Sequence, residues 1–150
     1  MSIESTNFQT RLDNMTVESL INACTGQTAT RRINLDATYQ RKFVWEESDQ
    51  SAFIDSVCKG IIPSNIIFNK KSKEQIVIDG KQRLTSLIRY FSNEIPLIKN
   101  NEYIFFNSTE ENDSYLDENK TVRIMTDEER GSQFLDRPLP ICFHSFPRIL

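Results

Sequence analysis

A mixed α+β fold is what this sequence predicts, and three observations predict it. Residues 81–92 place Leu84, Leu87, Ile88 and Phe91 at i, i+3, i+4 and i+7, the apolar stripe of an amphipathic helix. Before it, "NIIF" and "QIVI" are short β-branched runs joined by the polar "KKSKE", the pattern of a hairpin. Segments of helical and strand period then alternate along the chain with no internal repeat, so helices should be interspersed with small sheets.

In chain order, residues 13–23 ("DNMTVESLINA") carry Met15, Val17, Leu20 and Ile21 at helical spacing, with Thr16 as the N-cap. A loop follows, and "INLDATYQRKFVW" reads as extended because β-branched and aromatic residues dominate it. "EESDQSAFIDSVCKG" puts Phe53, Ile54, Val57 and Cys58 on one helical stripe and ends it at Gly60. Pro63 turns the chain into the first hairpin strand. Asn93 and Pro96 stop the 81–92 helix, and "NEYIFFN" is a further strand. "STEENDSYLDENK" holds five acids before its first cation and reads as an exposed loop. "TDEE" at 126–129 is a capping box opening a short helix. "LPICFH" is the closing strand, and Pro138 and Pro140 place it at a sheet edge.

The 150 residues suit a single domain spanning 1–150. The 38% apolar content and mean hydropathy of -0.47 leave room for exposed loops around a real core. A net charge of -3 argues against a protein that coats nucleic acid. The charge is uneven: residues 1–99 hold 13 basic and 11 acidic side chains, residues 100–150 hold 5 and 10. An anion site therefore belongs to the first two thirds. Three widely spaced cysteines, no signal-peptide pattern at the start and no long apolar run point to a cytoplasmic, reduced protein with no membrane partner.

Two clusters carry chemistry. In "IVIDGKQRL", Asp79 suits an N-cap, Gly80 a sharp turn with close backbone approach, and Gln82 the third helical position, reaching back to the cap. Lys81 and Arg83 then stand where the helix dipole is positive and repels cations. Exposed amides, a glycine and two cations are the parts of a phosphate site. The residues alone equally allow a capped helix with an Asp79–Arg83 pair and a solvated Lys81. In "YQRKFVW", strand alternation puts Tyr39, Arg41, Phe43 and Trp45 on one face. There Arg41 could hold a phosphate beside aromatics that seat a base, or lie along a Trp/Phe core.

Together, "YQRKFVW…FIDSVCKGIIPSNIIF…IVIDGKQRLTSLIRYF" resembles the N-terminal domain family of GmrSD-type restriction endonucleases, marked by a Tyr-Gln-Arg…Val-Trp segment and a D-G-Q-Q-R motif. The likeness is close over about residues 35–91 and fainter to 143. It implies a ParB/sulfiredoxin-like α+β fold, and a nucleotide-binding module of a modification-dependent restriction system, with NTP hydrolysis as the further activity. It implies an NTP with Mg²⁺ as cofactor and no metal site built from protein ligands alone. It places Asp79, Gln82 and Arg83 in the catalytic motif, and Gln40, Arg41, Gly80 and Arg83 on the nucleotide, to which the charge of Lys81 adds a further phosphate contact. Lys81 replaces the family's glutamine, a change that favours phosphate binding over orienting water. The ending departs too. Family members usually continue past the closing strand, so the chain reads as a shortened relative. Its single histidine, His144, is a strand-end residue that cannot build an H-N-H site, so a partner subunit would supply nuclease and DNA contact. Sulfiredoxin chemistry needs a cysteine in the phosphate turn, and residues 79–83 have none. The alternative is a non-catalytic DNA-associated or protein-interaction module without turnover.

Overall fold

The computed structural model describes residues 9–26, 32–35, 44–62, 64–71, 74–108, 112, 115 and 119–145. Its elements are β1 (Gln9–Thr16), α1 (Val17–Thr25), β2 (Arg32–Asn34), α2 (Glu47–Lys59), β3 (Ile66–Lys71), β4 (Glu74–Asp79) and α3 (Lys81–Phe91), followed by β5 (Leu97–Lys99), β6 (Glu102–Phe105), β7 (Thr121–Ile124), α4 (Asp127–Arg130) and β8 (Pro138–Ser145). The fold is mixed α+β with two mixed sheets, as the alternating periodicities predict. The chain packs as two compact units, residues 1–42, 63–81 and 138–150 in one, residues 43–62 and 82–137 in the other.

The first unit is a five-stranded sheet in the order β1-β8-β3-β4-β2. β1–β8 and β3–β4 are antiparallel, while β3–β8 and β2–β4 are parallel. Ile66, Phe68, Val77, Ile141 and Phe143 are buried, and the Phe68 and Phe143 rings lie 5.7 Å apart. Helix α1 buries Val17, Leu20, Ile21 and Ala23.

Two expectations change here. Residues 13–15 are strand, not helix, because Asp13, Asn14 and Met15 pair with Ile141, Pro140 and Leu139, partners far along the sequence. Thr16 still caps α1, its hydroxyl accepting from the Ser19 amide at 3.1 Å. The closing strand is also interior rather than an edge. Its prolines are accommodated because pairing with β3 begins only at Ile141, past both of them.

The second unit holds α2, α3, α4 and a sheet in the order β5-β6-β7. Helix α2 begins with the Glu46 amide donating to Asp49 at 3.1 Å, and ends as expected at Gly60, which adopts φ +78°. The Thr126–Glu129 capping box opens α4 as expected. Beyond α4 the chain continues through a π-helical turn over Gly131–Leu135, where the Asp136 amide reaches back to the Gly131 carbonyl at 2.9 Å.

The buried stripe of α3 is rotated from the predicted one. Leu84, Leu87 and Tyr90 are buried, whereas Ile88 is half-buried and Phe91 is 38% exposed. Tyr90 takes the core position because its ring packs edge-on against Phe106 and Phe134, and its hydroxyl donates to the Ile104 carbonyl at 3.0 Å.

Candidate functional site

The turn between β4 and α3 is built around Gly80. Its φ of +116° is costly for any residue with a side chain. It is also buried, and a β-carbon there would lie 2.9 Å from Ile66 Cγ2. Two independent constraints therefore demand glycine at this place.

The cap differs from the expectation. Asp79 closes β4, opposite Ile67, and α3 begins at Lys81, so Gly80 stands at the position before the helix. Asp79 is exposed, and Lys81, Gln82 and Arg83 are half-buried on the first helical turn. Gln82 is thus the second helical residue, not the third, and its amide oxygen has other work. It accepts from the main-chain amides of Trp45 at 3.0 Å and Val44 at 3.2 Å.

That contact joins the two motifs picked out from the sequence, the "VW" of one to the glutamine of the other. A chain of polar contacts continues from it. Gln50 Nε2 donates to the Trp45 carbonyl at 3.4 Å, and Arg89 donates to Gln50 Oε1 at 3.1 Å and to Glu94 at 3.3 Å. Trp45 itself lies edge-on to Phe53, with centroids 5.9 Å apart. Gln40 and Arg41, in the other half of that motif, lie outside the described residues.

Sequence reasoning missed a cavity of about 250 Å³ in the second unit, lined by Asp55, Cys58, Lys99, Glu102, Arg123 and Glu129 among others. Arg123 holds Glu129 through paired bonds of 2.8 and 3.0 Å and lies 3.3 Å from Glu102. Lys59 and Lys99 lie 2.8 and 3.3 Å from Asp55. Burial pushes the Asp55 carboxyl up, but the two lysines outweigh it and hold it below its ordinary value. Hydrogen bonding from Arg123 holds Glu129 at about 2, helped by the Thr126 amide and only partly opposed by burial. The one local signal was the capping box, which marked Glu129 as a helix-start residue and said nothing of Arg123.

A pH dependence follows from Glu129. A carboxylate lowered on folding contributes stability above its unfolded value of 4.5 and loses it as the pH falls toward 2. After allowance for solvent screening the Arg123–Glu129 pair should contribute about 1 kcal/mol. Urea titrations of wild type and Arg123→Ala should differ at pH 7 and converge below the ordinary carboxylate range. A difference that persists unchanged at pH 2.5 would rule this out.

Among the described residues, no group of three His, Cys, Asp or Glu side chains is placed to hold a metal, and no helix is long and apolar enough to cross a membrane. A search of curated proteins and a search of solved structures each returned no match. The family model for "GmrSD restriction endonuclease, N-terminal domain" matches residues 26–139. That span takes in both motifs, from Gln40 and Arg41 through Val44 and Trp45 to Asp79, Gly80, Lys81, Gln82 and Arg83. On that match, the chain belongs to the GmrSD restriction endonuclease N-terminal domain family.

Proposed function

We propose that this chain is the nucleotide-binding, regulatory module of a restriction system, with a ParB/sulfiredoxin-like fold. The observation that carries the reading is the β4–Gly80–α3 turn, whose glycine is fixed by both backbone angle and contact and is followed by two cations, Lys81 and Arg83, within the next three residues. Cations at the start of a helix cost a few tenths of a kcal/mol each, a cost that a bound anion reverses. The first-turn amides with Lys81 and Arg83 hold the phosphates, and the resemblance adds Gln40 and Arg41 to the nucleotide-binding residues. Asp79, exposed beside the turn, would offer its carboxylate to a Mg²⁺ bound with the nucleotide, an ion that would supply charge neutralisation of the phosphates. A separate nuclease subunit with an H-N-H site supplies DNA contact and cleavage.

Binding without turnover is the second reading, and one observation favours it. The Gln82 carbonyl oxygen is already engaged by the Val44 and Trp45 amides, so it is not placed to orient an attacking water. Lys81, in the place of the family's glutamine, offers no substitute.

Arg83→Ala and Lys81→Ala should each weaken Mg-NTP binding about tenfold, the equivalent of about 1.4 kcal/mol, with little change in melting temperature. Unchanged affinity in both would remove the phosphate role. Phosphate release separates the readings: measurable turnover supports hydrolysis, and binding with none supports the second.

A further inference from the structure

Outside the family match, the first unit brings together three side chains that neither motif uses. Cys142 and His144 are two apart on β8 and so share a face, and the register puts Thr10 of β1 opposite His144. Cys142 Sγ lies 3.6 Å from His144 Nε2, and Thr10 Oγ1 lies 3.2 Å from His144 Nδ1. With the ring proton on Nδ1, the threonine oxygen accepts it and Nε2 is left as the acceptor for the thiol proton. This is the order nucleophile, base, orienting hydroxyl.

The surroundings restrict what can reach the sulfur. Thr10 is exposed and His144 half-buried, while Cys142 is 7% exposed with Leu12 and Ile67 as its neighbours across the sheet. A small electrophile fits such a site, and a bulky disulfide does not. Burial pushes Cys24 up to about 12 and Cys58, with help from nearby Asp55, up to about 11, and neither has a histidine beside it among the described contacts.

We propose that Cys142, His144 and Thr10 form a modification site for small hydroperoxides. Sγ attacks the terminal peroxide oxygen as His144 Nε2 takes the thiol proton. The O–O bond breaks, and the leaving oxygen receives that proton as water or alcohol. The sulfur loses two electrons to become a sulfenic acid, and the peroxide gains them. His144 is the catalytic base, and Thr10 is a positioning residue that holds its ring and tautomer.

The test treats the full chain at neutral pH with hydrogen peroxide, traps sulfenic acid with dimedone and maps adducts by mass spectrometry. Cys142 should be labelled ahead of Cys24 and Cys58, and His144→Ala should slow it by about tenfold or more. His144→Gln, which keeps a polar side chain but cannot take the proton, should behave likewise if the alanine variant fails to fold. Thr10→Val should slow the reaction and Thr10→Ser restore it. Equal labelling of the three cysteines, no labelling of Cys142, or a rate unchanged in the folded histidine variant would overturn the proposal.

Discussion

Gly80→Ala should destabilise the protein by about 2–4 kcal/mol, read as a lowered urea midpoint with an unchanged slope. Two costs add. The backbone angle of +116° is one that side-chain-bearing residues rarely adopt, and relaxing it would alter the path from β4 into α3. The new methyl would also meet Ile66 at 2.9 Å, and Ile66 is itself buried and cannot swing into solvent. Pairing Gly80→Ala with Ile66→Ala, measured against Ile66→Ala alone, separates the two, because losing Cγ1 and Cγ2, the nearest side-chain atoms, should recover part of the contact cost and none of the angular cost. A variant as stable as wild type would mean that the turn is not fixed as described.

Gln82→Ala should cost about 2–3 kcal/mol, a larger effect than a half-buried polar residue on a first helical turn would ordinarily have. Its amide oxygen accepts from two main-chain amides, and its loss leaves both to find new partners. Gln82→Glu keeps an oxygen acceptor at the same reach and should recover most of the stability. The pair of variants also tests what the residue is for. If Gln82 holds the Val44–Trp45 segment, folding should follow the order wild type, Glu, Ala, and nucleotide affinity in the folded variants should change little. If it orients water, the glutamate variant should fold normally and lose turnover.

What was legible in the sequence was what local spacing and caps decide. Helices α2 and α3, the β3–β4 hairpin and the Thr126 capping box each announce themselves within a dozen residues. Strands β5 and β7, with three and four residues, are too short to show a period. β1 looks helical because Met15, Val17, Leu20 and Ile21 share a helical spacing, and the pairing of Asp13–Met15 with β8 overrides it. The β4–α3 turn stands out in the sequence through its glycine and cations, although α3 begins at Lys81, one residue later than a cap at Asp79 implies. The bond from Gln82 to the Trp45 amide spans 37 residues and runs from side chain to main chain, so no periodicity could reveal it. The charged cavity was hidden for the same reason, since Asp55, Lys99 and Arg123 come from three separate elements.

The central claim is that the β4–Gly80–α3 turn binds nucleotide phosphates. Calorimetric titration of the purified chain with nucleoside triphosphates, with and without Mg²⁺, tests it most directly. The account predicts saturable binding of at least one triphosphate that strengthens with Mg²⁺ and weakens about tenfold in Arg83→Ala. No binding heat for any triphosphate under either condition, from protein shown to be folded, would contradict it.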